Sequence, residues 1–199
     1  KLYTLDSAFK VKTLKNAIAV KSYDRTKFIN FRKNMRAKFG FADNDIIFVY
    51  CSRLSPEKGC LELIMATKLV ANAKLLIIGG ENFSSNKETQ YTIKLKSAAD
   101  SIKQRVHFTG YISHDEIPQY LSIGDVGVVP SVCNEAASST MLEMHAASLP
   151  VIASNRGGIP EYCEPSNTVL VDTDQFFVRN LAKSMEQFIS NPQMYNMMK

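Results

Sequence analysis

From Ile46 onward the chain alternates short apolar, β-rich runs with stretches of helical period, and no other feature constrains the fold as much. The runs are Ile46 to Cys51, Lys74 to Ile78, Arg105 to Thr109, Asp125 to Val129, Pro150 to Ser154 and Thr168 to Val171. Their length and near-continuous apolar character suit strands buried on both faces. Helical segments lie between them: Ser55 to Asn72, Lys87 to Ser101, Asp115 to Ser122, Ser138 to Ala147, and Asp174 to Ser190 at the end. Parallel strands need such crossovers, so the expected fold is α/β, a parallel sheet with helices on both faces. Ser55-Pro56 predicts a helix start with Ser as N-cap and Pro at the first helical position. Leu61, Ile64, Met65, Ala66 and Leu69 form its predicted apolar stripe, and Phe177, Leu181, Met185 and Phe188 that of the last helix. Residues 1–45 stand outside the alternation as a basic linker and leading helix, Lys27 to Phe39, with Phe28, Phe31, Met35 and Phe39 facing one way.

Charge and cysteine usage narrow the functional classes. The net charge of +5 is uneven: residues 1–40 hold eleven Lys and Arg against two Asp, a net of +9, and the rest a net of −4. Such a basic stretch is either a set of solvated helix faces or an attraction to an anionic membrane surface or anionic acceptor. Nucleic acid is disfavoured as a partner, because no aromatic-interleaved basic motif accompanies the charge. The four cysteines (Cys51, Cys60, Cys133, Cys163) and three scattered histidines show no metal-ligand spacing, so the cysteines read as reduced thiols and no metal is expected. The apolar runs are too short to span a bilayer, and no signal peptide opens the chain. The expected location is cytoplasmic, peripheral at the inner face of the cell membrane if the basic stretch binds lipid. The first residue is Lys rather than Met, as in a piece of a longer protein.

Three loops at strand ends carry the chemically versatile side chains, where open α/β sheets bind ligands. The first, Cys51 to Gly59, sets Arg53 and Lys58 beside a helix N-terminus whose free N–H groups favour anions. A phosphate held there gains charge-assisted hydrogen bonds of about 1.5–3 kcal/mol each. The same two residues also suit plain surface charges, with Lys58 pairing Glu62 at i,i+4 spacing. In the second, Gly110 permits a tight turn, and Tyr111 or Ile112 either flanks a planar base or packs on the core. The third runs from Ser131 to Glu161 and holds Glu135 and Glu143, with seven residues between them. Glu135 sits in a small-residue loop, free to accept hydrogen bonds from hydroxyls. Ser138, Ser139 and Thr140 mark a helix start able to hold phosphate. Glu143 either accepts from a vicinal diol such as ribose or is an exposed helix carboxylate. Gly157 and Gly158 let backbone approach a ligand closely, or simply turn the chain. His145 reads as structural.

Taken in order, Arg53-Leu54-Ser55-Pro56-Glu57-Lys58-Gly59, Thr109-Gly110-Tyr111, Asp125 to Ser131, Glu135-x7-Glu143, Pro150 to Ser154 and Gly157-Gly158-Ile159-Pro160-Glu161 resemble the retaining GT-B glycosyltransferases of family 4, the glycosyl transferases group 1. The resemblance implies a Rossmann-like domain, the C-terminal half of a GT-B fold, with residues 46–199 binding the donor and residues 1–45 leading from an N-terminal domain absent from this chain. It further implies that Arg53 and Lys58 hold the donor diphosphate and stabilise the leaving group, that Glu135 binds donor-sugar hydroxyls, and that Glu143 binds ribose. Ser138, Ser139 and Thr140 would contact phosphate, Tyr111 and Ile112 the base, and Gly157 and Gly158 would border the site. The donor would be a nucleotide-diphosphate sugar, no further cofactor would be required, and the acceptor would be a polysaccharide or glycolipid. The activity implied is that of a hexosyltransferase, expected to be absent from this piece alone. A non-catalytic nucleotide-sugar module, or an epimerase or phosphorylase of the same fold, competes with this reading. Ser52, Ser138 and Ser148 stand where the family pattern has Gly, and Asn16-Ala17 where it often has Asn-Gly.

Overall fold

A computed structural model describes residues 14–80 and 89–198. Its strands are β1 (Ile47–Cys51), β2 (Lys74–Ile78), β3 (Val106–Phe108), β4 (Val126–Val129), β5 (Val151–Ser154) and β6 (Thr168–Val171). All pair in parallel, in the order β3-β2-β1-β4-β5-β6. This is the expected Rossmann-like α/β fold. From β1 the chain winds outward through β2 and β3, then returns to place β4 on the other side of β1. The reversal leaves a crevice at the carboxyl ends of β1 and β4.

Side chains alternate between two cores, as the two-residue period of a strand requires. On β1, Phe48 and Tyr50 enter one core while Ile47, Val49 and Cys51 enter the other. Helices α2 (Cys60–Leu69), α3 (Gln90–Ala99) and α6 (Phe177–Ser190) cover the Phe48 face. Helices α1 (Ile29–Lys38), α4 (Ile117–Leu121) and α5 (Ser139–Ala146) cover the Ile47 face, and α7 (Pro192–Met198) follows α6. The predicted start of α3 at Lys87 lies outside the described residues. Helix α6 buries Phe177, Leu181, Met185 and Phe188 as its pattern foretold.

Helix α2 differs from its prediction in its start and in part of its stripe. Ser55-Pro56 opens a single 3-10 turn, Pro56–Lys58, and α2 begins only at Cys60. Between them Gly59 takes a left-handed φ of 71°, where a Cβ would lie 1.8 Å from the Pro130 carbonyl oxygen. Backbone pressed on backbone at that point interrupts the helix. Of the expected stripe Ile64 and Ala66 are buried, with Cys60, Leu63 and Thr67 beside them, while Met65 and Leu69 are 42% and 62% exposed.

The described part of the basic leading segment divides in two: Lys21, Lys27, Lys33 and Lys38 stay exposed, whereas its three arginines are anchored to the domain. Phe31, Met35 and Phe39 pack α1 against the sheet, and Phe28 ends the 3-10 turn before it. Arg25 and Arg32 donate to the Ser122 and Gly124 carbonyls, and Arg36 to those of Ile123, Ala42 and Asp45. Arg32 and Arg36 also pair with the Asp125 carboxylate at 2.6 and 3.0 Å. Burial alone would raise the Asp125 carboxyl, but Arg32, the Ile47 N–H and Arg36 outweigh it and hold it below the ordinary value. All four cysteines are free thiols. Among the described residues no helix is long and apolar enough to cross a membrane.

Candidate functional site

A cavity of about 390 Å³ opens at the carboxyl ends of β1, β2 and β4, at the reversal of strand order. Arg53, Lys58, Tyr111, Ile112, Glu135, Ser138, Ser139, Thr140 and Glu143, drawn from three loops far apart in sequence, all line it.

The first wall is the loop after β1. Its backbone is fixed by hydrogen bonds from Ser52 N to Ile78 O (3.2 Å) and from Leu54 N to Gly80 O (3.1 Å). The Tyr50 hydroxyl, buried in the core, donates to the Arg53 carbonyl at 2.8 Å. On this frame Lys58 reaches across the cleft to Glu135 Oε1, 3.0 Å away, with the two side chains only 18% and 10% exposed. The Glu62 partner considered from sequence is not the one chosen, because the 3-10 turn points Lys58 away from α2. Ser131 Oγ donates to the same Glu135 oxygen. Arg53 stands at the rim, 51% exposed and 3.9 Å from Glu57.

The Glu135 loop is held from behind. Gly158 N donates to Glu135 O at 2.6 Å, and Arg156 Nε to Asn134 Oδ1 at 3.1 Å. A Cβ on Gly157 would lie 2.5 Å from Glu135 O, and one on Gly158 2.2 Å from Ala136 O. These two glycines therefore let one backbone approach another. They brace the Glu135 loop from outside the cavity rather than border the cavity itself.

The third wall is α5. Ser138 caps it, its Oγ accepting from Met141 N at 3.4 Å. Helix geometry leaves the first N–H groups, those of Ser139 and Thr140, without intrahelical partners, and both residues border the cavity. Glu143, one turn on, is only 7% exposed, so it is not an exposed helix carboxylate. Burial raises its carboxyl above the ordinary value, partly offset by His114 and by the nearby Tyr23 hydroxyl. His114 Nδ1 lies 3.9 Å from Glu143 Oε1. His145 turns away, with Nε2 3.2 Å from Thr168 Oγ1, a structural placement.

Sequence reasoning missed Tyr23, Tyr50, His114 and Ser131. Ser131 was legible in principle, four residues before Glu135 at the end of β4. Tyr23 lies 120 residues from Glu143, and nothing in a single chain's pattern links the two.

The cleft sets a lysine, an arginine and a helix N-terminus beside two carboxylates. Cations and free N–H groups suit phosphate, and carboxylate acceptors suit hydroxyls. The family described as glycosyl transferases group 1 matches residues 31–199. The chain belongs to this family. Among curated members, it is 32% identical over 158 residues to the lipopolysaccharide 1,2-N-acetylglucosaminetransferase of Salmonella typhimurium, covering 76% of this chain and 40% of that protein. It spans less than half the length of two curated relatives that it matches, 42% and 40% of them. Among solved structures, Anabaena Alr3699/HepE in complex with UDP-glucose superposes with a TM-score of 0.80 at 25% identity, over 94% of this chain and 50% of that one. The C-terminal domain of a group 1 family protein, LpcC from Francisella tularensis, superposes with a TM-score of 0.73 at 19% identity, over 92% of each chain, a likeness of fold.

Proposed function

We propose that this chain is the donor-binding domain of a retaining family 4 glycosyltransferase that moves a hexosyl group from a nucleotide-diphosphate sugar to a polysaccharide or glycolipid acceptor. The observation that carries the reading is the Lys58–Glu135 contact of 3.0 Å at the mouth of α5, with Glu143 one turn deeper. A diphosphate lying between Lys58, Arg53 and the Ser139 and Thr140 N–H groups has its charge matched from three sides, and the same groups stabilise it as a leaving group. Glu135 then meets the donor-sugar hydroxyls, Glu143 the ribose, and Tyr111 and Ile112 the base. The UDP-glucose complex of the Anabaena relative supports a nucleotide-sugar donor. These side chains supply the positive charge and the acceptors the chemistry needs, and no further cofactor enters the proposal. The acceptor site belongs to an N-terminal domain that residues 1–45 lead from, so residues 1–199 alone transfer no sugar.

Calorimetric titration with UDP, GDP, ADP and their sugars tests the reading. One nucleoside diphosphate should bind, and Arg53→Ala should weaken it. Absence of binding by all three, with no effect of Arg53→Ala, overturns the proposal.

A further inference from the structure

The loop that carries Glu135 has a second cavity behind it, on the side away from the cleft. This cavity, of about 220 Å³, is bordered by Glu62 of α2, Val132, Arg156, Thr173 and Phe177 of α6. A segment lying over a void gains few dispersion contacts from that side, so hydrogen bonds must set its place. Main-chain bonds run from Val132 N to Glu57 O at 2.9 Å and from Gly158 N to Glu135 O at 2.6 Å. Among the described residues, the one side chain that ties the loop from outside the cleft is Arg156. Its Nε donates to Asn134 Oδ1 and its Nη1 to Thr173 Oγ1, both at 3.1 Å. The backbone beside the arginine is fixed, because Asn155 N donates to Val171 O and Asn155 Nδ2 to Asp172 Oδ1, each at 2.8 Å. The guanidinium therefore spans from the loop after β6 to the residue before Glu135.

We infer that Arg156 is a positioning residue for Glu135, a strap across the second cavity that sets where this carboxylate meets the donor sugar and so how sharply the site distinguishes sugars. The effect on sugars rests on the proposed role of Glu135, whereas the strap itself does not. Arg156 acts on the sugar end of the cleft and not on the phosphate end. Ser139 and Thr140 take their places from α5, which Ser138 caps, and Lys58 from the loop after β1, tied to Ile78 and Gly80. Lys58 and Ser131 also hold the Glu135 carboxylate, but they meet it inside the cleft, where phosphate and hydroxyls compete for them. Arg156 stands outside and keeps its hold when a donor is present. A planar guanidinium fixes two acceptors at a set separation, which a lysine ammonium does not. Asn134 is exposed, so the bond to it adds little to folding and acts chiefly on geometry. Glu62, which borders the same cavity, has Oε2 buried without a hydrogen-bond partner. A guanidinium released from Asn134 has that carboxylate to turn toward, so losing either end of the bond removes the strap.

The test uses the full 199-residue chain as wild type, Arg156→Ala, Arg156→Lys, Asn134→Ala and the double alanine variant. Amide NMR relaxation without ligand reads the strap first: Arg156→Ala should raise the mobility of residues 132–136 and leave Ser139 and Thr140 unchanged. Calorimetry with UDP, UDP-glucose, UDP-galactose and UDP-N-acetylglucosamine, or the matching set for whichever base binds, then gives the spread of affinities among sugars. Arg156→Ala should narrow that spread by about three- to tenfold, the scale of one hydrogen bond, with affinity for the bare diphosphate unchanged. Asn134→Ala should do the same, and the double variant should lose nothing further, since both remove one interaction. Arg156→Lys should behave like Arg156→Ala. Unmoved loop mobility, a lysine variant equal to wild type, or an equal fall for bare diphosphate and sugar donors overturns the positioning role while leaving the proposed function standing. A wild type that binds the diphosphate but shows no preference among sugars overturns the effect on sugars and the role of Glu135. A wild type that binds no nucleoside diphosphate overturns the proposed function, and the relaxation data still decide whether Arg156 holds the loop.

Discussion

Carboxylates beyond the two ends of β4 are buried to almost the same depth, Asp125 just before it at 5% and Glu143 on α5 at 7% exposure, yet their acidities are pushed in opposite directions. At the amino end Asp125 accepts from Arg32, Arg36 and the Ile47 N–H. At the carboxyl end Glu143 faces one phenol and a distant imidazole, and desolvation prevails. Depth therefore does not separate structural from functional acids here; completeness of pairing does. A finished ion network belongs to the fold, whereas a buried carboxylate bordering a cavity with acceptor capacity to spare suits a ligand. Glu135 lies between these cases, paired with Lys58 and Ser131 but in a cleft where a phosphate and a sugar hydroxyl can compete for the pair.

The largest effect should come from the amino end. Asp125→Asn leaves Arg36, itself buried, without its counter-charge, and we expect a loss of about 3–5 kcal/mol. For a chain of this size that lowers Tm by roughly 10 °C in a thermal melt. A shift of only a degree or two would break the comparison. Lys58→Met should act oppositely in kind: nucleoside diphosphate affinity falls by about ten- to a hundredfold, with a much smaller change in Tm.

Acid should separate the two carboxylates. The folded Glu143 value lies above the ordinary 4.5, so its favourable contribution is fully present below 4.5 and is lost as pH rises through the raised value. The folded Asp125 value lies below the ordinary 3.8, so its contribution is present above 3.8 and is lost as pH falls through the lowered value. Denaturant unfolding from pH 7 toward 4.5 should thus show a gain in wild type that Glu143→Gln lacks, and a steep loss only in stronger acid. Identical profiles for wild type and Glu143→Gln would contradict the assignment. The smallest expected effect lies away from both ends. Ser148 has a left-handed φ of 53°, and Ser148→Gly should add about 1 kcal/mol with donor affinity unchanged.

How much of this could be read beforehand follows from which interactions are local. The strands and their parallel arrangement were legible because burial on both faces leaves unbroken apolar runs, as in Ile47–Cys51. The start of α2 was not, because Gly59 is left-handed to meet the Pro130 carbonyl, a contact between residues 71 apart in sequence. The lining of the cleft could be read since Arg53, Lys58, Glu135 and Glu143 each follow a strand end. Its pairing could not: Lys58 meets Glu135 only when β1 and β4 become neighbours. The anchoring of Arg25, Arg32 and Arg36 on the turn before β4 was not legible either, because their partners lie 89 to 99 residues away in sequence.

The most direct measurement is amide NMR of the chain titrated with a nucleoside diphosphate that it binds in the calorimetric panel. Shifts concentrated at Lys58, Glu135, Ser139, Thr140 and Glu143, with Arg32, Arg36 and Asp125 still, are what the account predicts. Shifts centred on the arginine cluster at the amino end of β4, or spread evenly over both ends, would contradict it.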